Sequence, residues 1–194
     1  MNLYEIKELA KKSGKAVYST RQLSNLISKD KLSTAVYVSR LIKGKFAKKL
    51  QKGTISFTDN DFVIATQLYE PAYVSLDSAL LFHNLITQVP KDIDCITTIN
   101  SKYFKSHNIY YHKISPKLFF GFKKYKLDNS YAFIAEPEKA TLDGLYYNKY
   151  SIADLEEWLS KLNYTRLKKY SKLYNSKIQN MIENVRKRRT KRNS

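Results

Sequence analysis

Apolar positions in the first third of the chain recur at helical spacing, with short extended stretches between them. Leu3, Ile6, Leu9 and Ala10 share one face of a helix that the sequence ends near Ser13 and Gly14. Val17 and Tyr18 make a short extended stretch. Ser19 or Thr20 can cap a second helix, since a side-chain oxygen there satisfies a free N–H of the first turn. Leu23, Leu26 and Ile27 give that helix its inner face. A polar turn at 28–31 leads to a third helix over about 32–43, with Leu32, Ala35, Val36, Ser39 and Ile42 on its core-facing arc. Gly44 closes it. Residues 46–50 and 54–57 read as two short strands around Gln51, Lys52 and Gly53, a hairpin with glycine at the turn.

Three helices followed by a two-stranded ribbon are the element order of a winged helix-turn-helix. With the core arc placed as above, Ser33, Thr34, Tyr37 and Arg40 fall opposite it at 100° per residue. Short hydroxyls near the N-terminus, an aromatic, and an arginine one turn further on suit a recognition helix, which meets base edges and phosphates together. Lys48, Lys49 and Lys52 flank the hairpin tip as a wing would, and Arg21 and Lys43 complete the expected DNA-contacting set on this segment. The same face would also suit a small protein-interaction module.

Beyond residue 57 the period changes twice. Residues 62–69 and 75–86 read as helical, broken at Pro71. Residues 93–99, 109–114 and 131–134 are β-branched and aromatic runs, with 118–122 as a further candidate strand. From Pro137 the pattern is helical again, over 137–147, 152–162 and from Tyr164 onward, where Leu167, Tyr170, Leu173, Tyr174, Ile178, Met181, Ile182 and Val185 recur at helical spacing. The expectation is an α+β protein. A winged helix-turn-helix over 1–57 precedes a mixed domain over 58–185 with a small β-sheet and several helices, and a basic tail over 186–194.

Charge sharpens this division. The 194 residues carry a net +18, a field that favours polyanionic partners. Residues 1–56 hold +10, residues 57–163 hold −2, and residues 164–194 hold +10 again. A uniformly lysine-rich composition would not give two basic ends around an acidic middle, so at least one end is expected to contact nucleic acid. At the C-terminal end, six of the seven residues over 186–192 are basic. Arg186, Lys187, Arg188 and Arg189 are therefore expected to grip phosphates, adding affinity without reading bases. Hydrophobic content of 43% with 5 glycines and 4 prolines is that of a folded protein. No apolar run approaches the ~18 residues of a membrane span, and a cytoplasmic protein is expected.

The middle segment offers little chemistry. Glu136, Glu138, Lys139 and Asp143 gather at a helix start, where the acids suit the helix dipole and Lys139 with Asp143 has the spacing of an ion pair. A strand-to-helix junction explains them more simply than catalysis, so no enzymatic activity is expected. His83, His107 and His112 lack ligand-like spacing, and the single cysteine, Cys95, sits in an apolar run. No metal and no cofactor are expected. The 16 tyrosines could stack on RNA bases, but most occupy apolar periodic positions, as core residues do.

Three stretches resemble the AbiEi-type antitoxins of type IV toxin–antitoxin (abortive infection) systems. Ser39-Arg40-Leu41-Ile42-Lys43-Gly44-Lys45-Phe46 is similar to that family's ending of the recognition helix. Tyr73-Val74-Ser75-Leu76-Asp77-Ser78-Ala79-Leu80-Leu81-Phe82-His83-Asn84-Leu85 is similar to "yiSleSALyfHGL", with Asn84 where glycine is commoner. Ile134-Ala135-Glu136-Pro137-Glu138-Lys139-Ala140-Thr141-Leu142-Asp143 is similar to "iAdPEKAllDll". The resemblance implies an antitoxin that binds its own promoter DNA as a transcriptional repressor and counteracts a nucleotidyltransferase-like toxin encoded beside it. An antitoxin acting only by protein contact with the toxin, or an RNA-binding module, stands as the alternative.

Overall fold

Local capping chemistry sets the first helices. Asn2 and Glu5 form a reciprocal capping box at the start of α1 (Leu3–Ser13), and Gly14 ends it at φ 74°, a left-handed conformation that glycine adopts without cost. Strand β1 (Val17–Ser19) leads into α2 (Thr20–Ile27), whose capping box pairs Ser19 with Gln22. Asp30 caps α3 (Lys31–Lys43) by accepting from the Ser33 amide at 2.9 Å. The structure, a computed structural model, describes residues 1–192, with side chains as far as Arg189.

The hairpin is shorter than the sequence predicts. Strand β2 is Lys48–Gln51 and β3 is Thr54–Ser56. Phe46 stays outside the ladder, because its amide and that of Ala47 both bond back to the Leu41 carbonyl and close the helix end. β1 joins the pair, giving an antiparallel sheet in the order β1-β3-β2. Ile6, Ala10, Tyr18, Leu23, Ile27, Leu41 and Ile55 fill the core of this first unit.

One expectation is inverted here. Thr34 and Leu41 are fully buried, and Tyr37, Val38 and Ile42 pack around them. Leu32, Ala35, Val36 and Ser39, expected inside, are exposed. Both sides of α3 carry apolar residues, so periodicity alone does not fix its phase. The inner side gains the larger cluster, and Thr34 can enter it because its hydroxyl donates to the Asp30 carbonyl at 2.7 Å.

The second unit is a mixed sheet faced by helices. The segment over 61–89, expected as two helices alone, contains α4 (Asp61–Leu68), strand β4 (Ala72–Val74) and α5 (Leu76–Phe82). Strands β5 (Ile93–Thr97), β6 (Lys102–Phe104), β7 (Ile109–Lys113), β8 (Phe122–Leu127) and β9 (Ser130–Ala135) follow. Among the described residues they form a six-stranded sheet in the order β6-β7-β5-β4-β9-β8, with β4/β9 and β5/β7 parallel and the other pairs antiparallel. Residues 118–121, part of a candidate strand, instead end a 3₁₀ turn (Pro116–Leu118) and lead into β8. Helices α6 (Pro137–Tyr146), α7 (Ile152–Trp158), α8 (Tyr164–Ser171) and α9 (Ser176–Arg192) complete the fold.

α9 corrects a second expectation. Residues 186–192 continue this helix rather than leaving it as a tail, and Ile178, Ile182 and Val185 anchor it in the core. Asn193 and Ser194, the end of the expected tail, lie outside the described residues.

The two units meet through a buried amide. The Gln67 side-chain oxygen accepts from the Ala16 and Val17 amides at 2.8 and 3.1 Å. Its nitrogen donates to the Ser130 hydroxyl and the Tyr131 carbonyl at 3.0 and 2.9 Å. Ser130 in turn donates to the Gly14 carbonyl at 2.7 Å. Ala16, Val17 and Leu50, all before residue 58, belong to the larger core.

Candidate nucleic-acid interface

At 100° per residue, Leu32, Ala35, Val36, Ser39, Arg40 and Lys43 fall within an arc of about 140° on α3. All six are exposed. The outer face is thus an apolar and hydroxyl stripe bordered by Arg40 and Lys43. Of the expected reading set, Arg40 alone stands fully outward. Thr34 is sealed inside, and Ser33 and Tyr37 are half-buried at the flanks, Tyr37 packed on the core. The loss of Thr34 follows from the helix phase described above.

The other DNA contacts expected on the first unit are exposed: Arg21 on α2, Lys48 and Lys49 on β2, and Lys52 at the hairpin turn. Lys48 reaches Asp59 only at 3.7 Å, with both side chains largely in solvent. Beside the hairpin, Lys7, Lys45 and Lys48 line a cleft of about 380 Å³ together with Phe46, Phe57 and Asp59. That cleft places Lys45, just past the end of α3, beside Lys48 of β2, with Asp59 as the acid among them.

The fold also gathers charge the sequence does not display. Lys11 and Lys12 of α1 face Lys124 and Lys126 of β8 across a groove of about 600 Å³ that includes Glu8 and Tyr131. Lys124 lies 3.9 Å from the Tyr131 ring centre, within cation–π range. The net −2 of residues 57–163 hides Lys124 and Lys126. Only the alternation of β8, which turns Lys124 and Lys126 to one side, could have signalled them.

On α9, Arg186 stacks on Tyr164 at 3.9 Å, and Arg188 sits 3.5 Å from Glu156. Lys187 is exposed and Arg189 half-exposed. The four expected phosphate contacts therefore divide, since two of them already meet groups on this chain.

The junction predicted around Lys139 and Asp143 is the most buried polar cluster. Both side chains are fully enclosed and paired. Asp143 also accepts from the Tyr73, Ser75 and Tyr174 hydroxyls at 3.0, 2.8 and 2.9 Å. Tyr73, Phe120 and Tyr174 surround the ammonium at 5.0–5.5 Å from their ring centres. Gly121 permits the close approach: at φ 72°, a side chain there would meet Lys139 at 3.1 Å. Burial lowers the Lys139 pKa, opposed by the attraction of Asp143, and burial raises the Tyr73 phenol well above its ordinary value. Glu136 accepts from Lys123 at 2.7 Å and Tyr170 at 2.5 Å, while Glu138 accepts from the Asn163 amide at 2.7 Å. Every buried side-chain polar atom among the described residues has a partner. The cluster locks β4 and α6 to α8 and to the turn at Tyr174 that precedes α9, and the second and third of the stretches above meet in it.

A cleft of about 820 Å³ lies over β5, β7 and α7, with Trp158 and Tyr150 in its wall. Its carboxylates are engaged within the chain. Asp94 accepts from His112 at 2.6 Å and from Lys149 at 3.0 Å, and Asp77 accepts from Tyr150 at 2.7 Å. Burial pushes the Asp94 carboxyl up, but its bond to His112 and the Lys149 charge outweigh that and hold it below its ordinary value. Among the described residues, no group of three or more His, Cys, Asp or Glu side chains could hold a metal ion. No helix among them is long and apolar enough to cross a membrane. Compared with known protein-family models and with curated proteins, the chain matches none of either.

Proposed function

We propose that residues 1–57 form a winged helix-turn-helix that binds duplex DNA, and that the protein is the antitoxin of a type IV toxin–antitoxin system. In this reading it represses its own promoter and counteracts a nucleotidyltransferase-like toxin. The observation that carries the DNA-binding part is the outer face of α3. It is exposed, carries Arg40 and Lys43, and belongs to a segment of net +10 whose hairpin exposes Lys48, Lys49 and Lys52. Duplex DNA presents one phosphate charge per ~1.7 Å of axis, which such a surface complements. Lys187 and Arg189 of α9 add phosphate contacts that position the protein without identifying bases.

The antitoxin part rests on the resemblance, two of whose motifs lie in the second unit and converge on the Lys139–Asp143 cluster. Toxin neutralisation is assigned to residues 58–194. The test pairs two measurements on the full chain. The protein should shift a duplex taken from upstream of its own gene more strongly than an unrelated duplex of equal length. Co-expression should restore growth to cells making the adjacent toxin, and Arg40→Ala should weaken the first effect while sparing the second. Rescue lost together with DNA binding would refute the division of labour, and absence of a shift would refute the repressor reading.

A further inference from the structure

We infer that α3 selects DNA by packing Leu32, Ala35 and Val36 against thymine 5-methyl groups in the major groove, so that its preferred site carries A·T pairs where this helix lies. The inference rests on the reading of residues 1–57 as a DNA-binding unit and adds the chemistry by which that unit chooses a sequence.

Leu32 keeps 82% of its surface exposed and Val36 keeps 50%, on a helix whose opposite side is fully sealed at Thr34 and Leu41. Scattered exposed apolar residues are ordinary. Here three of them sit at i, i+3 and i+4 on one stripe, where they act together, and Ser39 extends the stripe by a turn. Charge decides what covers it. Lys29, Lys31, Arg40 and Lys43 surround the stripe, and the acid beside it, Asp30, already caps the helix through the Ser33 amide. A second copy seated face to face would set one unit of net +10 against another, whereas a duplex brings phosphates to every one of these cations.

Inside the major groove, the thymine methyl is the apolar group that base edges offer, and small or branched aliphatic side chains are its natural partners. From Leu32 to Val36 the helix rises about 6 Å at 1.5 Å per residue, close to two base-pair steps of ~3.4 Å. The stripe therefore covers two to three adjacent pairs.

The test uses the full-length protein and duplexes enriched by it from a random pool at fixed salt. The enriched duplex is rebuilt with deoxyuridine for thymidine, which keeps every hydrogen-bonding group and removes only the methyls. Burial of one methyl is worth about a fourfold change in affinity, so wild-type affinity should fall about fourfold for each methyl facing α3. Leu32→Ala/Val36→Ala, whose positions are exposed and leave the core intact, should lose most of that discrimination, keeping only the share that Ala35 contributes. Unchanged wild-type affinity for the deoxyuridine duplex overturns the inference while leaving the DNA-binding reading in place. Equal sensitivity in the alanine variant does the same. A dimer that Val36→Ala dissolves without touching DNA affinity assigns the stripe to a second copy and also overturns it. If no duplex is enriched and random duplex is not bound, the DNA-binding reading fails and this inference with it.

Discussion

Leu32 and Leu41 stand nine residues apart on α3, two and a half turns, and so face opposite ways: Leu41 is sealed in the core and Leu32 keeps 82% of its surface in solvent. This relationship fixes which residues of the helix hold the first unit together and which remain available to a partner. The same apolar residue type serves both sides, and only packing separates the two uses.

That separation has a direct energetic consequence. Leu41→Ala should destabilise the protein by about 2–5 kcal/mol, the range for a buried leucine that leaves a cavity. Leu32→Ala should stay within about 0.5 kcal/mol. Urea unfolding of the two variants reads the difference, and comparable losses would mean that the helix is turned the other way.

The Lys139–Asp143 pair should behave as a buried charge pair. Asp143→Ala strands the Lys139 ammonium among Tyr73, Phe120 and Tyr174, and should cost about 3–5 kcal/mol. Lys139→Met/Asp143→Leu removes both charges and should cost less than the sum of the single changes. Additive losses in the double-mutant cycle would show that the two side chains do not depend on each other.

Acid stability should depend on Asp94. Its folded-state pKa is depressed, so its contribution is full above the unfolded-state value of about 3.9 and is lost as pH falls through the lower folded-state value. Asp94→Asn should therefore be less stable than wild type at pH 7, with the gap closing below about pH 4. Denaturant midpoints measured from pH 7 down to pH 2.5 follow it. A gap constant across that range would remove the linkage.

On α9, Lys187 and Arg189 should act through phosphates alone. Replacing both with alanine should make the plot of log K against log salt shallower by about 2, near 0.9 per contact. The preference for one duplex over another should stay the same. A wild-type slope in this variant would free the end of α9 from any DNA role.

Much of the first unit was legible because its signals agree. Leu3, Ile6 and Ala10 mark one face of α1, Gly14 marks its end, and Ser19 marks the start of α2. Gly53 at φ 74° marks the hairpin turn. The phase of α3 was not legible, since Val38 and Leu41 on one side balance Leu32 and Val36 on the other. Tertiary packing against Leu23 and Ile55 decides between them. Strand β4 escaped notice because three residues, Ala72, Tyr73 and Val74, show no alternation when both faces are buried. The Lys139–Asp143 pair was visible from its spacing. Its partners Tyr73, Ser75 and Tyr174 come from elements tens of residues away and had no local signature. The groove of Lys11, Lys12, Lys124 and Lys126 likewise exists only once β8 lies beside α1.

Arg40 is the side chain through which contact between the outer face of α3 and base pairs can be measured. Fluorescence anisotropy at fixed salt would compare wild type and Arg40→Ala on the duplex from upstream of the protein's own gene and on a random duplex of equal length. Arg40→Ala should lose about 1–3 kcal/mol on the upstream duplex and less on the random one, as for an arginine that reads a base edge. Unchanged affinity of Arg40→Ala on both duplexes would contradict that contact.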